Sequence, residues 1–383
     1  MSAPAAAPVY NRKNPFPAHL KVNRLLTGEG SEKETRHFEI SLKDSGLEYE
    51  CGDSIGVLPT NCPNLVEDLI KALHATGDEP VPTPSKETKP LRQALLEDYA
   101  ITQPDKKFLK AIEERADATP TLSEMLHDPL RKNDLNDYLW GLEIIDFLHD
   151  HPSAKFTAEE FVGVLRKLQP RLYSIASSLK VHPEEVHLTI ASVRYESNGR
   201  QRKGVASTFL AERATPETPI PVFVHTAKGF RLPEDGDTPI IMVGPGTGIA
   251  PFRAYIEERL AVGATGKNWL FFGEQRSKSD FFYQDEFEKA VSDGALKLTT
   301  AFSRDQDHKI YVQHRLMENA AEIWKWLEEG AHFYVCGDAA RMAKDVDNAL
   351  HKIAENEGGK DPEAAATYIE QLKKDKRYKR DVY

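Results

Sequence analysis

The chain is 383 residues long, 40% apolar and 29% charged, with a formal net charge of -10. That length allows two or three domains with their own cores. The composition excludes a disordered chain, and the acidic balance argues against nucleic acid or an anionic membrane as partners.

The first sixteen residues are rich in Ala and Pro without periodicity, and read as a flexible leader. They lack the charged start and apolar stretch of a signal peptide, and no later run approaches the length of a membrane span. A cytoplasmic protein is the expectation. Over residues 17–61, LKVNRLLT, RHFEISL and SIGVLPT are short β-rich runs broken by Gly and Asp. Between the first two, LLTGEGSEKET has the Thr- and Gly-rich look of a flavodoxin phosphate loop. It leads into a strand and not a helix, so it reads as a hairpin loop. Arg36 and His37 follow it, placing a cation within reach of a cofactor's adenylate end.

Residues 62–165 turn helical. NLVEDLIKALHATG sets Leu65, Leu69 and Leu73 at helical spacing and stops at Gly77. The pattern continues through LRQALLEDY, KKFLKAIEERA, LNDYLWGLEIIDFLHD and AEEFVGVLRKL. Strands resume over 166–234 at RLYSIASS, EVHLTIASVRYE and PIPVFVHTA. The expected first part is therefore an antiparallel β-barrel split by a helical insertion. Over 235–383 the rhythm becomes strand–helix alternation, with PIIMVG, NWLFFGEQ, LKLTTAFS and HFYVCGD as strands. That alternation predicts a doubly wound parallel α/β domain.

Five stretches carry the chemistry. In PIIMVGPGTGIAPFRAYIEER an apolar strand runs into Gly244, Gly246, Thr247 and Gly248, and a helix opens at Ala250–Pro251. Glycines admit a phosphate close to the backbone, and the helix N-terminus supplies free N–H groups. The spacing G-x-G-x-G-x-x-P departs from the usual dinucleotide fingerprint. After the third strand of this domain, Ser303, Arg304 and Lys309 gather a hydroxyl and two cations beside Tyr311, a set suited to a 2′-phosphate. In RLYSIASS, Arg171, Tyr173 and Ser174 put a cation, a ring and a hydroxyl on one strand, the make-up of a flavin clamp. The small run Gly204–Thr208 then turns helical and forms a second anion cradle. Finally, Cys336 closes the strand HFYVCGD at the carboxyl end of the sheet. No His and carboxylate pair stands out to activate it, so it reads as a neighbour of the nicotinamide rather than a nucleophile. With Cys51 and Cys62 it makes an odd count without CxxC spacing, which suggests no disulfide framework and no zinc or iron–sulfur site.

Together RLYSIASS, GVAST, GPGTGIAPF, SRD followed by KIYVQ, YVCGDAARMAKDV and the terminal RYKRDVY closely resemble the flavoprotein component of NADPH–sulfite reductases. More broadly they resemble the reductase half of diflavin enzymes, within the ferredoxin–NADP reductase superfamily. The resemblance runs from about Asn14 to Tyr383. It implies an FAD-binding barrel, a helical connecting insertion and an NADP-binding domain, with hydride passing from NADPH to FAD and single electrons passing outward. Carried over by motif, Arg171, Tyr173, Ser174, Thr189, Ala191, Gly204, Val205, Ala206, Ser207 and Tyr383 would hold FAD. Arg36, Gly246, Thr247, Gly248, Ser303, Arg304, Lys309, Tyr311, Gln313 and Asp338 would hold NADPH. Ser174, Cys336 and Asp381 would form the polar setting for hydride transfer, and the terminal Tyr383 would stack over the flavin and swing aside at each turnover.

Diflavin members carry an N-terminal FMN-binding domain, and this chain begins where such a domain would end. The expected acceptor is therefore a separate sulfite-reducing hemoprotein, flavodoxin or ferredoxin. A non-catalytic nucleotide-binding subunit is the rival expectation from another class, and would show degraded motifs near the flavin.

Overall fold

A computed structural model describes residues 10–383. Of the expected leader, residues 1–9 lie outside the described residues. The part from Tyr10 on makes a turn in which Asn11 and Asn14 exchange two backbone hydrogen bonds. The chain divides into two compact units. One holds the described residues up to Val57 with Leu172–Ser192 and Ala214–Tyr383; the other holds Leu58–Arg171 with Val193–Arg213.

The first unit is built on two sheets. Its six-stranded sheet runs in the order Arg171–Ser174, Ser54–Val57, Ile220–His225, Phe16–Leu25, Thr35–Ser41 and Glu185–Ala191. The registered pairs are antiparallel, and an Ile175–Leu188 bridge joins the two edge strands and closes the sheet into a barrel. Closure removes the exposed edges that would otherwise template pairing with other chains. The alternating residues Phe38 and Ile40 of the second strand fill its interior with Leu188 and Ile190.

The second sheet is wholly parallel, in the order Lys297–Phe302, Asn268–Glu274, Ile240–Val243, His332–Gly337 and Tyr378–Val382. Its strands are buried on both faces, as a sheet with helices on each side requires. Ile241, Trp269, Phe271, Phe333 and Val335 pack one way, against the helices Met342–Asn356 and Pro362–Lys374. Met242, Leu270, Phe272, Tyr334 and Cys336 pack the other way, against Phe252 and Tyr255 of the helix Ala250–Ala261. Because the first strand of this sheet lies between the second and the fourth, the winding direction reverses beside it. Such a switch point opens a crevice at the carboxyl ends of the strands.

The second unit is mainly helical, around Leu69, Phe108, Ile112, Phe147 and Phe161. It also holds a hairpin, Arg194–Ser197 with Arg200–Lys203, which divides the expected run EVHLTIASVRYE in two. Arg202 of that hairpin is almost wholly buried, bonded to Glu143 at 3.1 Å and Asp146 at 2.7 Å. Those two carboxylates also make the reciprocal cap that starts the helix Ile144–Asp150. The expected single run LNDYLWGLEIIDFLHD is thus two helices, Lys132–Leu139 and Ile144–Asp150. The helix at Pro63–Ala72 stops short of Gly77 because His74 already has a positive φ of 54°.

Candidate active site

The switch-point crevice is where the glycine loop sits. Residues Gly246–Ile249 form a tight turn between the strand Ile240–Val243 and the helix Ala250–Ala261, whose first turn carries Pro251. A Cβ at Gly248 would stand 2.1 Å from the Cys336 carbonyl oxygen, so only glycine lets the two backbones pass. The start of this turn lines a cleft of about 340 Å³, while the Gly248 N–H is turned back onto the Pro245 carbonyl at 3.1 Å. Lys33, Thr35, Ala191, Gly246, Thr247, Glu274, Asp338 and Tyr383 line it. Gly246 lines it with a positive φ of 58° that favours glycine, and Lys33 puts a cation in the lining, a setting that fits a dinucleotide pyrophosphate.

Ser174, Cys336, Asp381 and Tyr383 converge at this crevice. The terminal strand lies beside His332–Gly337 with Asp381 opposite Cys336 and Val382 opposite Gly337. Tyr383 continues the pairing, donating its N–H to the Gly337 carbonyl at 3.1 Å. Its hydroxyl lies 2.9 Å from the Thr247 hydroxyl, while its ring is half exposed. From the barrel side the Ser174 hydroxyl donates to the Asp381 carboxylate at 2.8 Å. The Cys336 sulfur is 4.0 Å from the same carboxylate oxygen and fully buried. Burial, with the Asp381 charge added, pushes the Cys336 thiol well above its usual range. A thiol held neutral in this way is no nucleophile.

The remaining expected contacts fall into three groups. Half-buried Tyr173 shares the strand of Ser174, and Ala191 lines the cleft. Thr189 is buried below, 2.6 Å from the Tyr283 hydroxyl, which is in turn 3.0 Å from His37 Nδ1. Arg36 is engaged by its own hairpin, through Glu34 at 2.6 Å and Asn23 at 3.0 Å. Lys33, three residues earlier, lines the cleft and pairs with the buried Glu274 at 2.6 Å. Sequence reasoning passed over Lys33 because the loop carrying it has no periodicity to place its side chains.

At the expected adenylate end, Ser303 and Arg304 continue the strand Lys297–Phe302 and donate backbone N–H groups to Glu274 and Gln275. Lys309 and Tyr311 are exposed, Tyr311 stacking on His314. Gln313 donates to Asp345 at 3.1 Å. Asp338 accepts N–H bonds from Ala340, Arg341 and Met342, which hold its carboxyl below the usual range and cap the helix that follows.

In the second unit, Arg171 is exposed and the cradle Gly204–Ser207 follows the hairpin. Gly204 donates its N–H to the Val193 carbonyl at 2.9 Å, and the Ser207 hydroxyl accepts from the Val193 N–H at 3.1 Å. A Cβ at Gly204 would stand 2.7 Å from Val193 Cβ and 2.8 Å from Ser207 Oγ. Val205 and Ala206 open a helical turn there, a start that fits a second phosphate-bearing cofactor.

Two families of known proteins match the chain, one after the other. Residues 8–209 match the FAD binding domain family, and residues 242–348 match the oxidoreductase NAD-binding domain. The chain is 48% identical to the sulfite reductase [NADPH] flavoprotein alpha-component of Bacillus subtilis, covering 100% of this chain and 64% of that protein. It is 48% identical to the corresponding protein of Cronobacter sakazakii and 47% to that of Escherichia coli O139:H28, in each case covering 98% of this chain and 62% of the relative. The chain therefore spans under two thirds of the length of these relatives. With more than half of its residues inside the first of those matches, this chain belongs to the FAD-binding-domain family of flavoproteins.

Proposed function

We propose that the chain is an NADPH-dependent flavoprotein reductase that serves sulfite reduction in the cytoplasm. It would pass electrons to a separate acceptor, first of all a sulfite-reducing hemoprotein. The observation that carries this reading is the meeting of Ser174, Asp381 and Cys336 under a glycine-lined crevice closed by Tyr383. Bound FAD would supply the chemistry, accepting hydride from NADPH and releasing electrons one at a time. Arg171, Tyr173 and Ser174 would hold the flavin, with Gly204–Ser207 at its phosphates. Thr247 and Gly248 would hold the nicotinamide nucleotide at its pyrophosphate, with Ser303 and Arg304 at its 2′-phosphate. The proposed divisions are a barrel over 17–61 and 166–234, a helical insertion over 62–165 and a nucleotide domain over 235–383.

Within that reading each residue has a physical task. Asp381 accepts the Ser174 hydroxyl hydrogen and so fixes which way that hydroxyl points. The neutral Cys336 gives the crevice floor a polarisable, uncharged wall. Tyr383, latched to Thr247, keeps water from the reacting face and releases to admit the nicotinamide. Among the described residues no helix is long and apolar enough to cross a membrane.

The test is an electron-output assay on the FAD-loaded protein. NADPH-dependent reduction of ferricyanide is expected, followed by transfer to a sulfite-reducing hemoprotein. Ferricyanide reduction without transfer to the hemoprotein, but with transfer to flavodoxin or ferredoxin, would replace the proposed acceptor. No ferricyanide reduction at all would refute the reductase reading.

A further inference from the structure

The loop Thr27–Glu34 joins two barrel strands, and its residues Gly28–Lys33 reach the carboxyl end of the parallel sheet. Gly28 N–H donates to the Ser279 carbonyl at 2.7 Å, the Ser31 hydroxyl bonds Asp280, and Lys33 pairs with Glu274. Glu32 is the residue left facing the cations. One of its carboxylate oxygens pairs with Arg304 and the other lies 3.5 Å from Arg276. These two arginines follow the strands Lys297–Phe302 and Asn268–Glu274 and are both partly exposed. The nearby Asp305 is occupied by the Ser277 N–H, and Glu274 by Lys33 and the Gln275 N–H.

A carboxylate spanning two guanidinium groups has the charge sign and acceptor geometry of a phosphate. We propose that Glu32 is a specificity-determining residue, a built-in occupant of the 2′-phosphate subsite that the cofactor's own phosphate must displace. The inference rests on the proposed use of Arg304 for that phosphate. Displacement has two consequences. The arginines are held in place before the nucleotide arrives, and the site binds the phosphate more weakly than two free arginines would. A dinucleotide without a 2′-phosphate gains nothing from displacing Glu32. Glu32 therefore tunes the affinity for the phosphorylated cofactor without touching the other. Arg304 holds the Glu32 carboxyl below its usual range, so the competing charge is present at neutral pH.

The test is calorimetric binding of 2′,5′-ADP and 5′-AMP to FAD-loaded wild type and Glu32→Gln. Glu32 is about half exposed, so the variant keeps its fold. The expected result is a 2′,5′-ADP dissociation constant lowered about three- to tenfold, with 5′-AMP unchanged and the gain shrinking at high salt. Equal shifts for both ligands, or none for 2′,5′-ADP, would overturn the inference while wild type still prefers 2′,5′-ADP over 5′-AMP. Loss of that preference in wild type itself would instead overturn the 2′-phosphate subsite, and the inference with it. Arg304→Gln should abolish the effect of Glu32→Gln; an effect that persists in the double variant also counts against it.

Discussion

Ser174 and Asp381 are 207 positions apart and share one hydrogen bond of 2.8 Å. In the proposed reading a hydroxyl fixed by a carboxylate offers a directed oxygen at the reacting centre, where a side chain positioned for acid–base work contributes about 10²–10⁴-fold to rate. Ser174→Ala and Asp381→Asn are each expected to slow flavin reduction by about a hundredfold or more while FAD content stays at the wild-type level. Stopped-flow reduction and the visible spectrum measure the two separately. Tyr383 poses the opposite case. Its hydroxyl bonds Thr247 and its N–H bonds Gly337, and in the proposed reading its ring stands where the nicotinamide would come. Removing Tyr383 should tighten nicotinamide nucleotide binding and relax the preference for NADPH over NADH; unchanged kinetics with both would refute the latch. Ser174 stood out in the run RLYSIASS and Tyr383 as a terminal ring, whereas Asp381 was singled out by the resemblance of RYKRDVY, and the hydrogen bond that joins Ser174 to Asp381 is set by the fold. Lys33 and Glu32 did not stand out, since their partners Glu274, Arg276 and Arg304 lie more than two hundred residues away.

Between elements, the helix after the glycine loop is fastened to the barrel strand that carries Ser174. Arg253 donates to the Ala176 carbonyl at 2.7 Å, pairs with Glu257 at 2.8 Å and lies 3.3 Å from His187 Nδ1. His187 packs against His37 and His182 and meets Glu185 at 3.2 Å, while His37 meets Glu39 at 3.2 Å and the Tyr283 hydroxyl at 3.0 Å. Burial first, with the positive charge of Arg253 next, lowers His37 from about 6.5 to about 2. Burial likewise lowers His187 to about 4, with His182 and Arg253 acting the same way against the hydrogen bond it donates to Glu185. A histidine lowered by folding binds its proton more readily in the unfolded chain. Its stabilising effect is therefore whole above about pH 6.5 and is lost as pH falls toward about 4. The thermal midpoint should fall through that window, and His187→Gln should flatten the fall. A midpoint independent of pH from 6.5 to 4 would contradict this. The elements themselves were mostly readable from period and turn residues. Breaks at residues 140–143 and 192–193 were not, because capping by Glu143 and Asp146 and the return of the 194–203 hairpin are set by tertiary pairing. The terminal strand Tyr378–Val382 also went unread. Its basic run looks polar, and only pairing with His332–Gly337 makes it a strand.

At the scale of the molecule, two matches with known domains lie in chain order, FAD-binding first and NAD-binding second, and the first unit carries a barrel and a doubly wound sheet. The fold class was legible because long strand–helix alternation and a split β-rich region leave few alternatives. The acceptor was not, because docking faces are set by surface charge and shape rather than by periodicity. The central claim is that this chain takes hydride from NADPH through a site built on Ser174, Asp381 and the glycine loop. An anaerobic titration of the FAD-loaded protein with NADPH, followed at the visible flavin band, tests it most directly. The account predicts that stoichiometric NADPH bleaches the band, that NADH does so far more slowly, and that air restores it. A protein that binds no flavin, or a yellow one that NADPH leaves unbleached, would contradict it.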